Sequence, residues 1–185
     1  DSAIQAYREL GDPANLVIVD TQLVSMALSL LVLEVARAAE AGADLAQCKA
    51  LAEATLPKIG VFFTVDTLEY LHRGGRINSA KRLLGSALNL KPIMEIRDGK
   101  IELVESVISR KKAINRMLDL VEKGVNGRTP VRLAPFHALC VDDMEAMVKI
   151  AEERFHPLEV IRSEVSPVVG SHVGPGTLAI AYMAG

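Results

Sequence analysis

Tryptophan is absent from this chain, and aromatic side chains of any kind are scarce: three Tyr and four Phe in 185 residues. Half of the residues are nonetheless hydrophobic, so a sizeable core is expected and it must be mostly aliphatic. Neither sign of charge is in excess, with 21 Lys and Arg against 23 Asp and Glu. That balance argues against a general nucleic-acid binder, which carries a basic surplus. Cysteine is nearly missing. Cys48 and Cys140 stand far apart, form neither a zinc spacing nor a CxxC pair, and read as free thiols of a reducing compartment. No signal peptide is visible. The most apolar run, Val24 to Ala36, is interrupted by Ser25, Ser29 and Glu34 and falls short of the ~20 residues of a spanning helix. No GxSxG elbow, P-loop, HExxH or kinase signature occurs. These absences weaken the case for a self-sufficient enzyme, although a triad assembled from distant residues leaves no such trace. Asp142-Asp143 has no partner ligands at a useful spacing, and reads as a helix cap and first-turn acid rather than a metal site.

What is present alternates between helical and strand patterns. Ser2 to Leu10 reads as a helix closed by Gly11-Asp12-Pro13, and Leu16-Val17-Ile18-Val19 as a buried parallel strand ending at Asp20. Val24 to Glu40 is a long helix, apolar on nearly all faces. Ser25, Ala27 and Ser29 keep its first half slim, so a neighbouring helix or an alkyl chain can approach. Asp44 caps Leu45 to Leu56, Pro57 ends that helix, and Ile59 to Val65 is the next strand. Helix, strand, helix, helix, strand suits a parallel α/β layer. Beyond it, Ser79 to Leu88 reads as a helix. Pro92 to Ile96 and Lys100 to Ile108 alternate around Asp98-Gly99, a hairpin signal. Hairpin chemistry differs from crossover chemistry, which places a domain change near Val65 and divides the chain into 1–65 and 66–185. Ser109 caps a helix from Arg110 to Lys123 with Gly124 beyond it. Val131 to Cys140 is a strand whose Pro135 implies an edge or a bulge. Asp142 caps a helix to Phe155, Leu158 to Val165 is a strand, and Thr177 to Met183 is the last one.

Two loops carry candidate chemistry. In Val65 to Ile77 a helical turn runs into Gly74-Gly75 and delivers Arg76 before a helix start at Asn78-Ser79. Glycine freedom, open helix N–H groups and a guanidinium fork together suit an anion; the plainer reading is a C-cap glycine followed by a solvated basic turn. In Ser171 to Thr177, Gly174 and Gly176 flank Pro175 and His172 stands at the start. This is either the second half of an anion pocket or only a tight connection to the final strand. Arg110-Lys111-Lys112 opposes the dipole of the helix it starts, which a solvated helix start tolerates and a phosphate or partner would exploit. His137 and His156 read as structural or exposed.

Taken in order, Thr67-Leu68-Glu69-Tyr70-Leu71-His72-Arg73-Gly74-Gly75-Arg76-Ile77, Leu90-Lys91-Pro92-Ile93, Ser109-Arg110-Lys111-Lys112-Ala113 and His172-Val173-Gly174-Pro175-Gly176-Thr177 resemble the DegV family. Val19-Asp20-Thr21 with Val24-Ser25-Met26 resembles that family's strand-to-helix join. The resemblance covers the whole chain and implies an α/β protein of two domains: a parallel three-layer α/β/α first domain (the EDD fold) and a two-layer second domain whose mixed sheet contains a hairpin. It implies a bacterial, cytoplasmic protein with no cofactor, no metal and no transmembrane segment, though with room for a transient membrane contact. The ligand would be a long-chain fatty acid such as palmitate. Some members are the lipid-binding subunit of a fatty acid kinase, presenting the acyl carboxylate to a separate ATP-dependent kinase subunit. By that resemblance Arg76 and His172 lie near the carboxylate, Gly174 and Gly176 shape the loop, and Arg110 meets the phosphoryl group or the partner. The chain opens at Asp1-Ser2-Ala3, inside a helical pattern, so a truncated first domain is expected, without the hydroxyl residues that grip the carboxylate in the family. The alternatives are a stand-alone enzyme on a small phosphorylated or carboxylated substrate, with His172 as acid–base and Arg76 as clamp, and an interaction module that docks through its basic stretch.

Overall fold

A computed structural model describes residues 2–11, 13–77, 80 and 90–185. Among them the chain forms a mixed α/β fold around one sheet. The strands are β1 (Ile59–Thr64), β2 (Lys91–Arg97), β3 (Lys100–Val107), β4 (Val131–His137), β5 (Glu159–Val160), β6 (Ser163–Glu164) and β7 (Leu178–Ala184). The helices are α1 (Ser2–Glu9), α2 (Ser25–Glu40), α3 (Leu45–Thr55), α4 (Glu69–Arg73), α5 (Arg110–Val125), α6 (Val141–Phe155) and α7 (Pro167–Val173). Strand order is β3-β2-β1-β7-β4-β5, with β6 also on β4. All pairings are antiparallel except β4 with β5 and β6.

The pleat sorts the side chains onto two cores, because successive strand residues face opposite ways. On β7, Leu178, Ile180 and Tyr182 pack with Ile114, Met117 and Leu118 of α5 and with Met144 and Met147 of α6. Ala179, Ala181 and Met183 face the other way, toward Met26, Ala27 and Leu30 of α2 and Leu71 of α4. The tyrosine stacks on Phe62 at 6.3 Å between centroids. Small residues on the α2 side and larger ones on the α5–α6 side make the two faces unlike in depth.

Local chemistry explains most boundaries. Asp44 Oδ1 accepts from the Gln47 amide at 2.8 Å while the Gln47 side chain accepts from the Asp44 amide, a complete capping box on α3. Ser109 Oγ accepts from the Lys112 amide and starts α5. Asp98 and Gly99 both take positive φ, as a two-residue hairpin turn requires, and β2 pairs with β3 around them.

Several expectations are corrected. Leu16 to Val19 forms no strand and pairs with none of the strands among the described residues. The strand at Ile59–Thr64 does not close a parallel first layer; it is an inner strand, antiparallel to β2 and β7. Gly124 lies inside α5, which ends at Asn126 in the left-handed region. A Cβ at Gly124 would sit 1.8 Å from the Tyr182 hydroxyl, so the glycine makes room for the ring. Pro135 is neither edge nor bulge: it pairs with Ile180 on one side and faces the break between β5 and β6 on the other. The carbonyls of Val131, Leu133 and His137 all accept from that side, so the missing N–H of Pro135 falls where the neighbouring strand is interrupted. The expected strand over Leu158 to Val165 is accordingly two short pieces. Cys140, not Asp142, occupies the position before α6, and Asp142 and Asp143 stand in its first turn. The expected helix from Ser79 to Leu88 lies outside the described residues apart from Ala80. Among those described, no helix is long and apolar enough to cross a membrane.

Met117 is fully buried at the centre of the α5–α6 core. Met117→Ala is expected to lower unfolding stability by about 2–5 kcal/mol, read from the shift in urea midpoint at constant m-value.

Candidate functional site

The first loop begins where β1 ends. After Asp66, α4 makes little more than one turn and stops at a glycine pair. Gly75 takes φ +66°, the Arg76 amide donates to Leu71 O at 2.9 Å and the Gly75 amide to His72 O at 3.1 Å. These two bonds form a Schellman closure. The plain cap reading of Gly74-Gly75 is therefore correct, and it is also what turns Arg76 back: Arg76 Nη1 donates to Gly74 O at 2.7 Å.

The second loop begins at α7. Ser166 caps it, His172 lies in its last turn, and Gly174 and Gly176 follow at φ +77° and +76°. Thr177, almost fully buried, directs its hydroxyl at the carbonyls of Val173 and Gly174, 3.0 and 2.8 Å away, and so fixes the turn between helix and final strand.

The loops meet through their glycines. A Cβ at Gly74 would lie 2.5 Å from His172 Nδ1, one at Gly174 would lie 2.2 Å from the Tyr70 ring, and one at Gly176 would lie 2.0 Å from Asp66 Oδ2. Asp66 is itself held by Lys91 of β2 at 2.9 Å. Each glycine is thus the place where the opposite loop passes too close for a side chain.

Behind this crossing lies an apolar cavity of about 300 Å³. Arg76 and His172 both line it, with Val61 and Phe63 of β1, Phe136 of β4, Ala179 of β7, Ile96 and Ile101 of the hairpin, and the valines around α7. Arg76 is exposed and His172 half-buried, so the polar groups sit against an otherwise aliphatic and aromatic lining. His172 Nδ1 is buried and has no hydrogen-bond partner among the described residues. Thr177 and Ser25 add hydroxyl-bearing residues, and Ser25 holds an unusual φ of +54° at the start of α2. Gly174 and Gly176 shape the loop without lining the cavity.

Arg110 is placed elsewhere. Its Nε donates to Asp143 Oδ2 at 2.7 Å and its Nη2 to Cys140 Sγ at 3.2 Å, while Nη1 is buried without a partner among the described residues. Cys140 Sγ donates in turn to Thr177 O at 3.1 Å. Burial pushes the Cys140 thiol above its ordinary range, with the Arg110 charge acting in the opposite direction. Arg110 therefore reaches the cavity wall only through Cys140 and Thr177. Lys111 and Lys112 are exposed. His137 Nδ1 accepts from the Cys140 amide at 3.2 Å, a structural role as expected. Among the described residues no cluster of three or more His, Cys, Asp or Glu stands ready for a metal ion. The residues that sequence reasoning did not single out are Phe63, Phe136 and Ala179: each looks like ordinary core in its strand, and only register brings them together.

Known proteins of similar sequence and structure share the fold of this chain. The sequence model of the DegV family, described as uncharacterised, matches residues 1–185. A DegV domain-containing protein of Streptomyces coelicolor is 38% identical over 181 residues, covering 97% of this chain and 63% of its own length. A DegV family protein from Thermus thermophilus, solved in connection with its fatty acid binding, superposes with a TM-score of 0.91 at 31% identity, over 99% of this chain and 65% of its own. DegV of Bacillus subtilis, described as a fatty acid binding protein, does so with a TM-score of 0.79 at 28% identity, over 90% of this chain and 60% of its own. The chain thus spans a little under two thirds of the length of these relatives. On the family match over its full length, and on a fold shared with these proteins, the chain belongs to the DegV family.

Proposed function

We propose that this chain binds a long-chain fatty acid such as palmitate, with the alkyl chain in the apolar cavity and the carboxylate at Arg76 and His172. The observation that carries the reading is that a guanidinium and an imidazole from two distant loops line the same aliphatic cavity. A fatty acid needs that combination. Burial of polymethylene contributes about 0.8 kcal/mol per CH₂, while an unpaired anion at the end of the slot would be very costly. Charge-assisted hydrogen bonds from Arg76 and His172 meet that requirement. The Thermus and Bacillus relatives, described as fatty-acid-binding, support the same ligand.

The finer reading is that the bound carboxylate is presented to a separate ATP-dependent kinase subunit, and that the chain performs no chemistry of its own. Supporting it are Lys111 and Lys112 beside Arg110, both exposed and without an ion-pair partner among the described residues. The enzyme alternative needs a carboxylate or similar group to orient His172 as a base, and among the described residues none bonds its Nδ1.

Mass spectrometry of an organic extract of the purified, folded protein is expected to show a long-chain fatty acid in near-equal amount. An extract free of lipid would sink the reading. Arg76→Ala is expected to weaken retention roughly ten- to hundredfold, the worth of a lost charged hydrogen bond. Gly176→Ala forces a left-handed φ on alanine and drives its Cβ into Asp66. It is expected to lower both retention and thermal stability, whereas Gly127→Ala, at a glycine with open space around it, is expected to leave retention unchanged.

A further inference from the structure

Three residues in register cross the cavity floor. Phe63 of β1 and Phe136 of β4 both pair with Ala179 of β7, so one row of the sheet reads large, small, large on the α2 side. All three belong to the same core and all three line the cavity. Adjacent strands lie about 4.8 Å apart, which puts the backbones carrying the two rings about 9.6 Å apart. Non-bonded carbons touch at ~3.5–4.0 Å, so a gap of this width over Ala179 has room for one file of carbon atoms, which needs about 7–8 Å, and not for two side by side, which need about 10.5–12 Å.

The next row on this face is Val61, Ala181 and Ala134. There the space closes: Ala181 and Ala134 do not line the cavity, and α2 supplies Met26, Ala27 and Leu30 to the core above them. The cavity volume of about 300 Å³ corresponds to roughly ten groups of water size, taking ~30 Å³ each, and a methylene is of that size.

We infer that Ala179, set between Phe63 and Phe136, is the residue that selects the acyl chain: it admits an unbranched polymethylene segment and excludes one with a methyl branch part-way along. This deepens the fatty-acid reading and rests on it. Ala179 supplies the depth of the notch and the two phenylalanines its width. A branch carbon in the notch would have to displace a ring or lift the chain off the floor.

The test measures binding of octadecanoic acid and of octadecanoic acid with a mid-chain methyl branch to the folded protein, by displacement of a fluorescent fatty acid. The wild-type chain is expected to prefer the unbranched acid at least tenfold. Ala179→Leu, which fills the notch, is expected to bind the unbranched acid at least tenfold more weakly, with an unchanged far-UV spectrum. Phe136→Leu, which widens one wall and keeps a large apolar group in the core, is expected to lose most of the preference, read as the ratio of its affinities for the two acids. It decides the matter should Ala179→Leu fail to fold. Equal wild-type affinity for the two acids overturns the inference and leaves the fatty-acid reading standing. So does a folded Ala179→Leu that binds as wild type does, or a Phe136→Leu that keeps the full preference. Failure to bind either acid overturns both.

Discussion

The close approach of two backbone loops at glycine is the constraint on which the rest of this molecule depends. The segment after β1 and the segment before β7 cross where Gly74, Gly174 and Gly176 leave no room for a Cβ. Glycine is otherwise a poor choice at such places, because it loses the most conformational freedom on folding. Here the cost is offset by what the crossing achieves. Arg76 and His172 are carried by separate short helices, and neither has an element of its own long enough to hold it rigidly. Arg76 is held within its own loop by the carbonyl of Gly74, and His172 packs against that same glycine from the other loop.

The sheet supplies the second half of the arrangement. Alternation along β7 sends leucine, isoleucine and tyrosine to the α5–α6 core, while alanines face α2. Were both faces equally bulky, the α2 side would close over the sheet along its whole length. The alanines instead let α2 settle closely at Ala181 and leave a hollow at Ala179, where the phenylalanines on either side hold the neighbouring structure up. Cavity and tight packing are thus adjacent consequences of one run of small residues. Cys140 ties this wall to the basic start of α5, since its sulfur lies between Arg110 and the carbonyl of Thr177.

How much of this was legible in the sequence depended on how local the cause was. The hairpin at Asp98-Gly99 and the caps at Asp44 and Ser109 are each written within four residues, and each is legible in the sequence; the reciprocal bond from Gln47 that completes the box at Asp44 is seen only in the structure. The placement of Ile59 to Thr64 is not legible in the sequence, because its antiparallel setting comes from pairing with β2 and β7, and the second of these lies more than a hundred residues later. Pro135 was misjudged for a related reason: its tolerance depends on a break in a neighbouring strand, not on its own position in the sheet. Leu16 to Val19 has the composition of a strand, and composition alone does not supply a partner. At the site, the glycines and the two polar residues stood out as motifs, and family resemblance grouped them. Spacing by itself did not. The phenylalanine–alanine–phenylalanine row left no trace, since three core residues on three strands look like any others until their register is known.

The position of β7 has a consequence for the order in which the molecule can be made. It is the seventh strand in sequence but lies in the middle of the sheet, with β1 on one side and β4 on the other. Among the described strands, the β1–β2–β3 meander and β4 are joined into one sheet only through β7. Long-range pairings of this kind are slow to form, and the exposed edges in the meantime invite pairing with other chains. Pairing of β7 with both neighbours is therefore what joins the two parts of the sheet and sets the second glycine loop against the first, beside the cavity.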